Sequence, residues 1–272
     1  MNLGVQRMEV KILASDLDGT LLDQNSRISE KTAKAIKEAQ NAGINFIAVT
    51  GRSWETAHQI FQEAGIEVDY ILLNGAEFRI SSGEIIYQEF IQQAVAEKVI
   101  DYLLTARVGW EVPTDKGDFS TDTDLCQTAS VFSEFLQFGE KKPKILKLFA
   151  FSNEAILMKN IKNHFSDWKE IFVTSSAVWN VEITASVAQK GNMLKKIIQY
   201  YGVSEDEVII FGDGENDETM FQKFRRSRAV GNAVSLIRDL SEKVIGYHYE
   251  NGVAKEIDQI LKSKSNSATI SL

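Results

Sequence analysis

Short apolar runs, each closed by a polar cluster, recur towards both ends of the chain. Val10-Lys11-Ile12-Leu13-Ala14-Ser15 stops at Asp16-Leu17-Asp18-Gly19-Thr20, and Ile44-Asn45-Phe46-Ile47-Ala48-Val49 stops at Thr50-Gly51-Arg52. Tyr70-Ile71-Leu72-Leu73 stops at Asn74-Gly75, and Val208-Ile209-Ile210-Phe211 stops at Gly212-Asp213-Gly214-Glu215-Asn216-Asp217. Runs of this length bounded by turn-forming residues predict buried strands. Between them the period becomes helical. Ala33, Ile36 and Ala39 follow Ser29, a good N-cap, and end at Gly43, which suits a C′ position. Trp54, Ala57, Ile60, Phe61 and Ala64 form a second stripe closed by Gly65, and Met193, Leu194, Ile197, Ile198 and Tyr201 a third closed by Gly202. Strands apolar on both faces, alternating with helices, predict a doubly wound parallel α/β sheet, Rossmann-like, with Arg228–Val230 and Lys243–Ile245 as outer strands.

The middle of the chain has another character. Ile85–Phe90, Lys144–Phe151 and Trp179–Thr184 alternate apolar and polar residues, which predicts half-buried antiparallel strands, with helices at about 92–106 and 154–165 between them. Residues 79–185 therefore read as an α+β domain inserted into a core made of residues 1–78 and 186–272. Trp110, Phe119, Phe132, Phe135 and Phe138 read as the inserted domain's own core plus a solvated loop. The polar tail Ser263–Thr269 has no periodicity and reads as frayed.

Charge and composition narrow the function. With 38 acidic against 30 basic residues, a net charge of −8 disfavours a nucleic acid partner held by counterion release. No run is apolar enough to span a bilayer and Met1–Val10 lacks a signal core, so neither a membrane nor export is expected and the location is read as cytoplasmic. The single cysteine, Cys126, excludes an internal disulfide and a thiolate metal site, and His58, His164 and His248 lack ligand spacing. Carboxylates remain, and they suit a hard cation such as Mg²⁺.

In an open parallel sheet, ligands bind outside the carboxyl ends of the strands, where the four polar clusters fall. Asp16 and Asp18, two residues apart in a turn, repel unless a proton or a cation intervenes; Asp213 and Asp217 at the same rim make a divalent metal the natural partner. Thr50, Gly51 and the helix after them offer a hydroxyl, an approachable N–H and a positive helix end to a phosphate, and Lys190 a point charge. Asn74 stands in a turn that is either only a turn or a substrate contact, and Arg52 pairs with a nearby acid or reaches substrate.

Asp16–Thr20, Thr50-Gly51-Arg52, Lys190-Gly191 and Gly212–Asp217 resemble, in order and spacing, the four motifs of the haloacid dehalogenase-like phosphohydrolases. The large insertion after Asn74-Gly75, with Val230-Gly231-Asn232-Ala233 and Glu250–Ala254, resembles the Cof-like, type IIB capped branch. The resemblance spans residues 10–260. It implies that Asp16 attacks phosphorus and that Asp18 serves as acid and then base. It further implies Mg²⁺ on the Asp16 carboxylate, the Asp18 carbonyl and Asp213, with Asp217 behind them. The phosphoryl group would lie against Thr50, the N–H groups of Leu17 and Gly51, Lys190 and Asn216. Two positions depart from the pattern, Glu218 after Asp217 and, in Ala229-Val230-Gly231, Val230 where a methionine usually precedes the glycine, and both lie away from the implied chemistry.

The expected activity is thus Mg²⁺-dependent hydrolysis of a small phosphorylated metabolite such as a sugar phosphate, a nucleotide-like cofactor or pyridoxal phosphate. The inserted domain would close over the substrate and select its leaving group. A phosphotransferase or mutase with the same aspartyl phosphate, and a non-catalytic phospho-metabolite sensor, are the alternatives. A response-regulator receiver fits neither the Asp-x-Asp spacing nor the insertion. The sequence does not name the substrate or the oligomeric state.

Overall fold

The structure, a computed structural model, describes residues 9–121, 130–131 and 142–270. Cys126, Phe132, Phe135 and Phe138 lie outside the described residues. The chain begins with β1 (Ile12–Ser15), α1 (Glu30–Asn41), β2 (Asn45–Val49), α2 (Trp54–Glu63) and β3 (Asp69–Leu72). A hairpin of β4 (Glu77–Arg79) and β5 (Ile85–Gln88) follows. The insertion comprises α3 (Gln93–Ala106), β6 (Gly109–Thr114), β7 (Gly117–Ser120), β8 (Ser130–Val131), β9 (Lys147–Phe151), α4 (Ala155–Phe165), β10 (Ile171–Thr174) and β11 (Asn180–Ala185). The chain returns through α5 (Lys190–Tyr200), β12 (Val208–Gly212), α6 (Glu218–Lys223), β13 (Ser227–Ala229), α7 (Ser235–Leu240), β14 (Lys243–Val244) and α8 (Gly252–Ile270).

Eight strands form the first sheet in the order β14-β13-β12-β1-β2-β3-β4-β5. The first six run parallel, and β4 and β5 add an antiparallel edge. From β1 the chain winds outward through β2 and β3; β12 then takes the other flank of β1. The crevice at the carboxyl ends of β1 and β12 is the switch point of the sheet, where such folds bind ligands. Register aligns the motifs there: Ser15 pairs with both Phe211 and Ala48, so Asp16, Gly212 and Val49 leave the sheet at one level.

Local chemistry explains the elements. The Ser29 side chain accepts from the Thr32 N–H and caps α1, and Gly43, at φ +78°, closes it, as the spacing predicted. Ile12, Leu13, Ala14, Ile47, Val49, Ile209 and Ile210 are fully buried, which accounts for strands without alternation.

The second sheet, β10-β11-β9-β6-β7-β8, contains the predicted alternating strands Lys147–Phe151 and Asn180–Ala185. Opposite residues share a face: Glu111 and Glu182 both stand opposite Phe149, Thr184 opposite Lys147, and Asp118 opposite Pro113. Trp110, Val112, Leu148, Ala150, Val181 and Ile183 alternate with them and are buried in the apolar core. Trp110 and Phe119 thus serve the insertion's core, as expected.

Two expectations change. Ile85–Gln88, assigned to the insertion, pairs with β4 and extends the first sheet, so residues 79–88 belong with the core. Alternation reports a strand with one covered face and does not say which sheet covers it. The tail expected to fray continues α8 to Ile270, because nothing between Gly252 and Ile270 breaks a helix already anchored by buried Val253, Ala254 and Ile257.

Candidate active site

The turn after β1 brings the carboxylates together. Gly19 holds φ +81°, and a Cβ there would stand 2.5 Å from an Asp213 carboxylate oxygen, so this glycine meets both a conformational and a spatial demand. The Thr20 hydroxyl donates to Asp213 Oδ1 at 2.7 Å, and the Asn232 amide donates to the Gly19 carbonyl at 2.7 Å. The turn is thereby tied to the ends of β12 and β13 across the switch point.

Asp16 is 5% exposed, and its Oδ1 accepts from Lys190 Nζ at 2.6 Å. Lys190 opens α5, has no exposed surface, and donates also to Asp217 Oδ1 at 2.7 Å. The other Asp217 oxygen accepts the Asp213 and Gly214 N–H groups at 2.9 and 3.1 Å, which fixes the loop after β12. Asp217 therefore positions Lys190 and the Asp213 backbone. Asp16, Asp213 and Asp217 each offer an oxygen within 4.8 Å of the others, a cluster that could hold a metal ion.

The electrostatics point the same way. Burial pushes the Asp16 carboxyl well above the usual carboxylate range; Lys190 opposes this, and the charges of Asp217 and Asp213 reinforce it. Burial, then the Asp217 charge, raises Asp213 to about 6, against the Thr20 hydrogen bond and Lys190. For Lys190, burial alone would favour the neutral amine, but Asp16 and Asp217 outweigh it and hold the ammonium above its ordinary range. One lysine does not neutralise three clustered carboxylates, so the donor set suits an added cation.

The Asp18 side chain points elsewhere, into a two-pronged pair with Arg52, with Nε at 2.7 Å and an Nη at 2.5 Å. Arg52 pairs with an acid, the first of its two readings. A cavity of about 990 Å³ lies between the sheets, walled on the core side by Asp16, Asp18, Gly51, Arg52, Asp213 and Asn216. The cap side contributes Glu111, Asp118, Lys147, Phe149, Asn180 and Glu182. Thr50, Leu17 and Lys190 are buried just behind this wall, with the Thr50 hydroxyl accepting the Arg52 N–H at 3.2 Å.

Asn74 stands in the turn after β3, at φ +58°. It is 1% exposed, does not line the cavity, and donates to Glu182 Oε2 at 2.8 Å while accepting from Asn216 Nδ2 at 3.2 Å. Its amide joins the insertion to the loop after β12. Gly75, at φ +100°, lets this turn lie against the Gln189 backbone, only 2.5 Å from where a Cβ would stand. Sequence reasoning missed Thr20, Asn232, Lys147 and Glu182. The last two carried one signal, a charge on the same strand parity as Phe149.

The sequence model of the family described as haloacid dehalogenase-like hydrolase matches residues 13–257. The chain belongs to that family. This haloacid dehalogenase-like hydrolase shares its fold with one from B. subtilis at a TM-score of 0.85 and 24% identity, covering 92% of this chain and 99% of that one. It is 28% identical to the 5-amino-6-(5-phospho-D-ribitylamino)uracil phosphatase YwtE of Bacillus subtilis strain 168, over 94% of this chain and 99% of the relative. It is 27% identical to the HMP-PP phosphatase of Cronobacter sakazakii, over 89% and 92% of the two chains. The departure at Glu218 has a local reason, since the residue opens α6, where a helix favours a negative charge. Among the described residues, no helix of this hydrolase is long and apolar enough to cross a membrane.

Proposed function

We propose that this hydrolase is a Mg²⁺-dependent phosphatase of a small phosphorylated metabolite, acting through an aspartyl phosphate on Asp16. The observation that carries the reading is the Asp16–Lys190–Asp217 chain beside Asp213 at the switch point, open to a cavity roofed by the insertion. The two relatives' names, each a phosphatase of a small phosphorylated compound, support it.

The residues fit Mg²⁺, which takes few protein oxygens and completes its shell with water and phosphate. Asp16 and Asp213 would hold it with their carboxylates and Asp18 with its backbone carbonyl; the Asp217 oxygens are engaged by Lys190 and the loop N–H groups. Bound there, the ion neutralises charge on the transferring phosphoryl group.

An Asp16 oxygen attacks phosphorus in line as the bond to the leaving oxygen breaks, and Asp18 protonates that oxygen. Asp18 then takes a proton from the water that attacks phosphorus and frees Asp16. Both proton transfers require the Asp18 carboxyl to turn from Arg52 towards the substrate. Thr50, the N–H groups of Leu17 and Gly51, Lys190 and Asn216 hold the phosphoryl oxygens, and such positioning and charge compensation supply most of the catalysis in phosphoryl transfer. The segment between Gln88 and Ser186 is the cap, and leaving-group selection belongs to its cavity-facing residues.

Phosphate release from a panel of sugar phosphates, nucleotides and pyridoxal phosphate, with Mg²⁺ or EDTA, tests the proposal. Mg²⁺-dependent release that disappears in Asp16→Asn is expected. Release unaffected by EDTA overturns it.

A further inference from the structure

The cap sheet sends an oppositely charged pair into the core. Lys147 on β9 and Glu182 on β11 form an ion pair, both almost wholly buried. Both charges find their remaining partners largely outside the cap. Lys147 Nζ donates to the Gly51 carbonyl at 2.8 Å. Glu182 Oε2 accepts from Asn74 at 2.8 Å, and its Oε1 accepts from the cap's own Ser176 hydroxyl at 2.8 Å. Asn74 passes the contact on to Asn216 at 3.2 Å. Packing is equally close: a Cβ on Gly51 would stand 3.0 Å from Asn74 Oδ1 and 3.2 Å from Glu182 Oε2. Burial opposes a charge on Glu182, but Lys147 and Ser176 hold its carboxyl below the usual range.

A buried ion pair is tolerated only where further hydrogen bonds satisfy it, and here those bonds come chiefly from Gly51 and Asn74 in the core. The same two residues border the segments assigned above to the phosphate: Gly51 itself, and Asn216 through Asn74. The hydrogen bond from Lys147 fixes the rotation of a residue that has no side chain to anchor it.

We propose that Lys147 and Glu182 are positioning residues that set the phosphate-cradling segments at Gly51 and Asn216 when the cap lies on the core, making chemistry conditional on closure. The proposal rests on the phosphatase reading. It differs from leaving-group recognition, the ordinary task of a cap residue facing the cavity, in one respect: a positioning pair affects every substrate alike.

The test compares Lys147→Met, Lys147→Arg, Glu182→Gln and the double variant Lys147→Met/Glu182→Gln with wild type, using p-nitrophenyl phosphate and glucose 6-phosphate. A small misplacement of the phosphate cradle is expected to lower kcat by about tenfold to a hundredfold, by the same factor for both substrates and with little change in KM. The double variant is expected to lose no more than the worse single variant, since the two residues act as one unit, and Lys147→Arg to recover part of the rate. Losses that differ about tenfold or more between the substrates would assign Lys147 to leaving-group recognition and overturn the proposal, as would an unchanged kcat. Glu182→Gln, nearly isosteric, keeps the test open should Lys147→Met not fold.

Amide hydrogen exchange separates this proposal from the function it rests on. If wild type hydrolyses neither these two substrates nor any compound of the panel above, the phosphatase reading fails on its own. The positioning claim is then judged by exchange in peptides covering residues 50–52 and 73–76, which should be faster in the folded variants. Equal exchange in these peptides overturns it.

Discussion

The Lys190 ammonium lies 2.6 Å from Asp16, 174 residues away in sequence, with no surface exposed to solvent. The buried nucleophile proposed here and the chain's returning helix thus share one charge pair at the centre of the fold. Replacing Lys190 by methionine leaves Asp16 and Asp217 without their cation. Removing one partner of a buried pair costs about 3–5 kcal/mol, so Lys190→Met should unfold at markedly lower urea concentration than wild type. Mg²⁺ should restore part of that loss. A urea midpoint unchanged from wild type would mean that the pair does not hold the site together.

Gly19→Ala should be costly without touching any charge. The residue combines φ +81° with a contact of 2.5 Å between the new methyl and Asp213 Oδ2. Such a backbone position costs about 1–3 kcal/mol, and the displaced Asp213 carboxylate should bind Mg²⁺ more weakly. Urea unfolding and Mg²⁺ titration measure the two effects separately.

The metal-free protein should lose stability as pH rises from about 4 to about 6. Asp213 titrates at about 6 in the fold and near 3.8 when unfolded, so the folded state binds the proton more tightly. Stability is therefore fully present below the unfolded value and falls as pH climbs through the folded one, by at most about 3 kcal/mol for this group. Mg²⁺ should oppose the loss and bind more strongly as pH rises. Thermal melts in EDTA and in Mg²⁺ across this range check both signs.

Arg52→Ala is expected to change stability little. The Arg52–Asp18 pair is partly solvated, with about half of the Asp18 side chain exposed, and such pairs contribute about 0–1 kcal/mol. Its effect should fall on kcat, through the freedom of Asp18 to reach the leaving oxygen. A folded variant with an unchanged kcat would remove Arg52 from the account.

Much of this was legible in the chain. β1, β2 and β12 announced themselves because strands covered on both faces carry little polar interruption, and Ser29 and Gly43 marked the ends of α1 by capping chemistry. Asp16, Asp18 and Asp213 could be picked out because the ends of parallel strands are where a fold of this class gathers polar groups, and Lys190 because it opens the helix that returns from the insertion, at a Lys-Gly pair that resembles the family's third motif. Lys147 and Glu182 could not, since a charge on an alternating strand reads as its solvated face, and only the docking of cap on core buries it. The hairpin ending at Gln88 was misplaced for the related reason that periodicity reports exposure and not partnership. Asn74 read equally as turn or contact because its role depends on Glu182, 108 residues further along.

The central claim is that Asp16 carries the phosphoryl group. Borohydride added during turnover reduces an acyl phosphate to an alcohol, turning a phosphorylated aspartate into homoserine, which peptide mass spectrometry locates. The account predicts homoserine at position 16 when substrate and Mg²⁺ are both present, and none when either is omitted. Steady hydrolysis with position 16 unmodified throughout would contradict it.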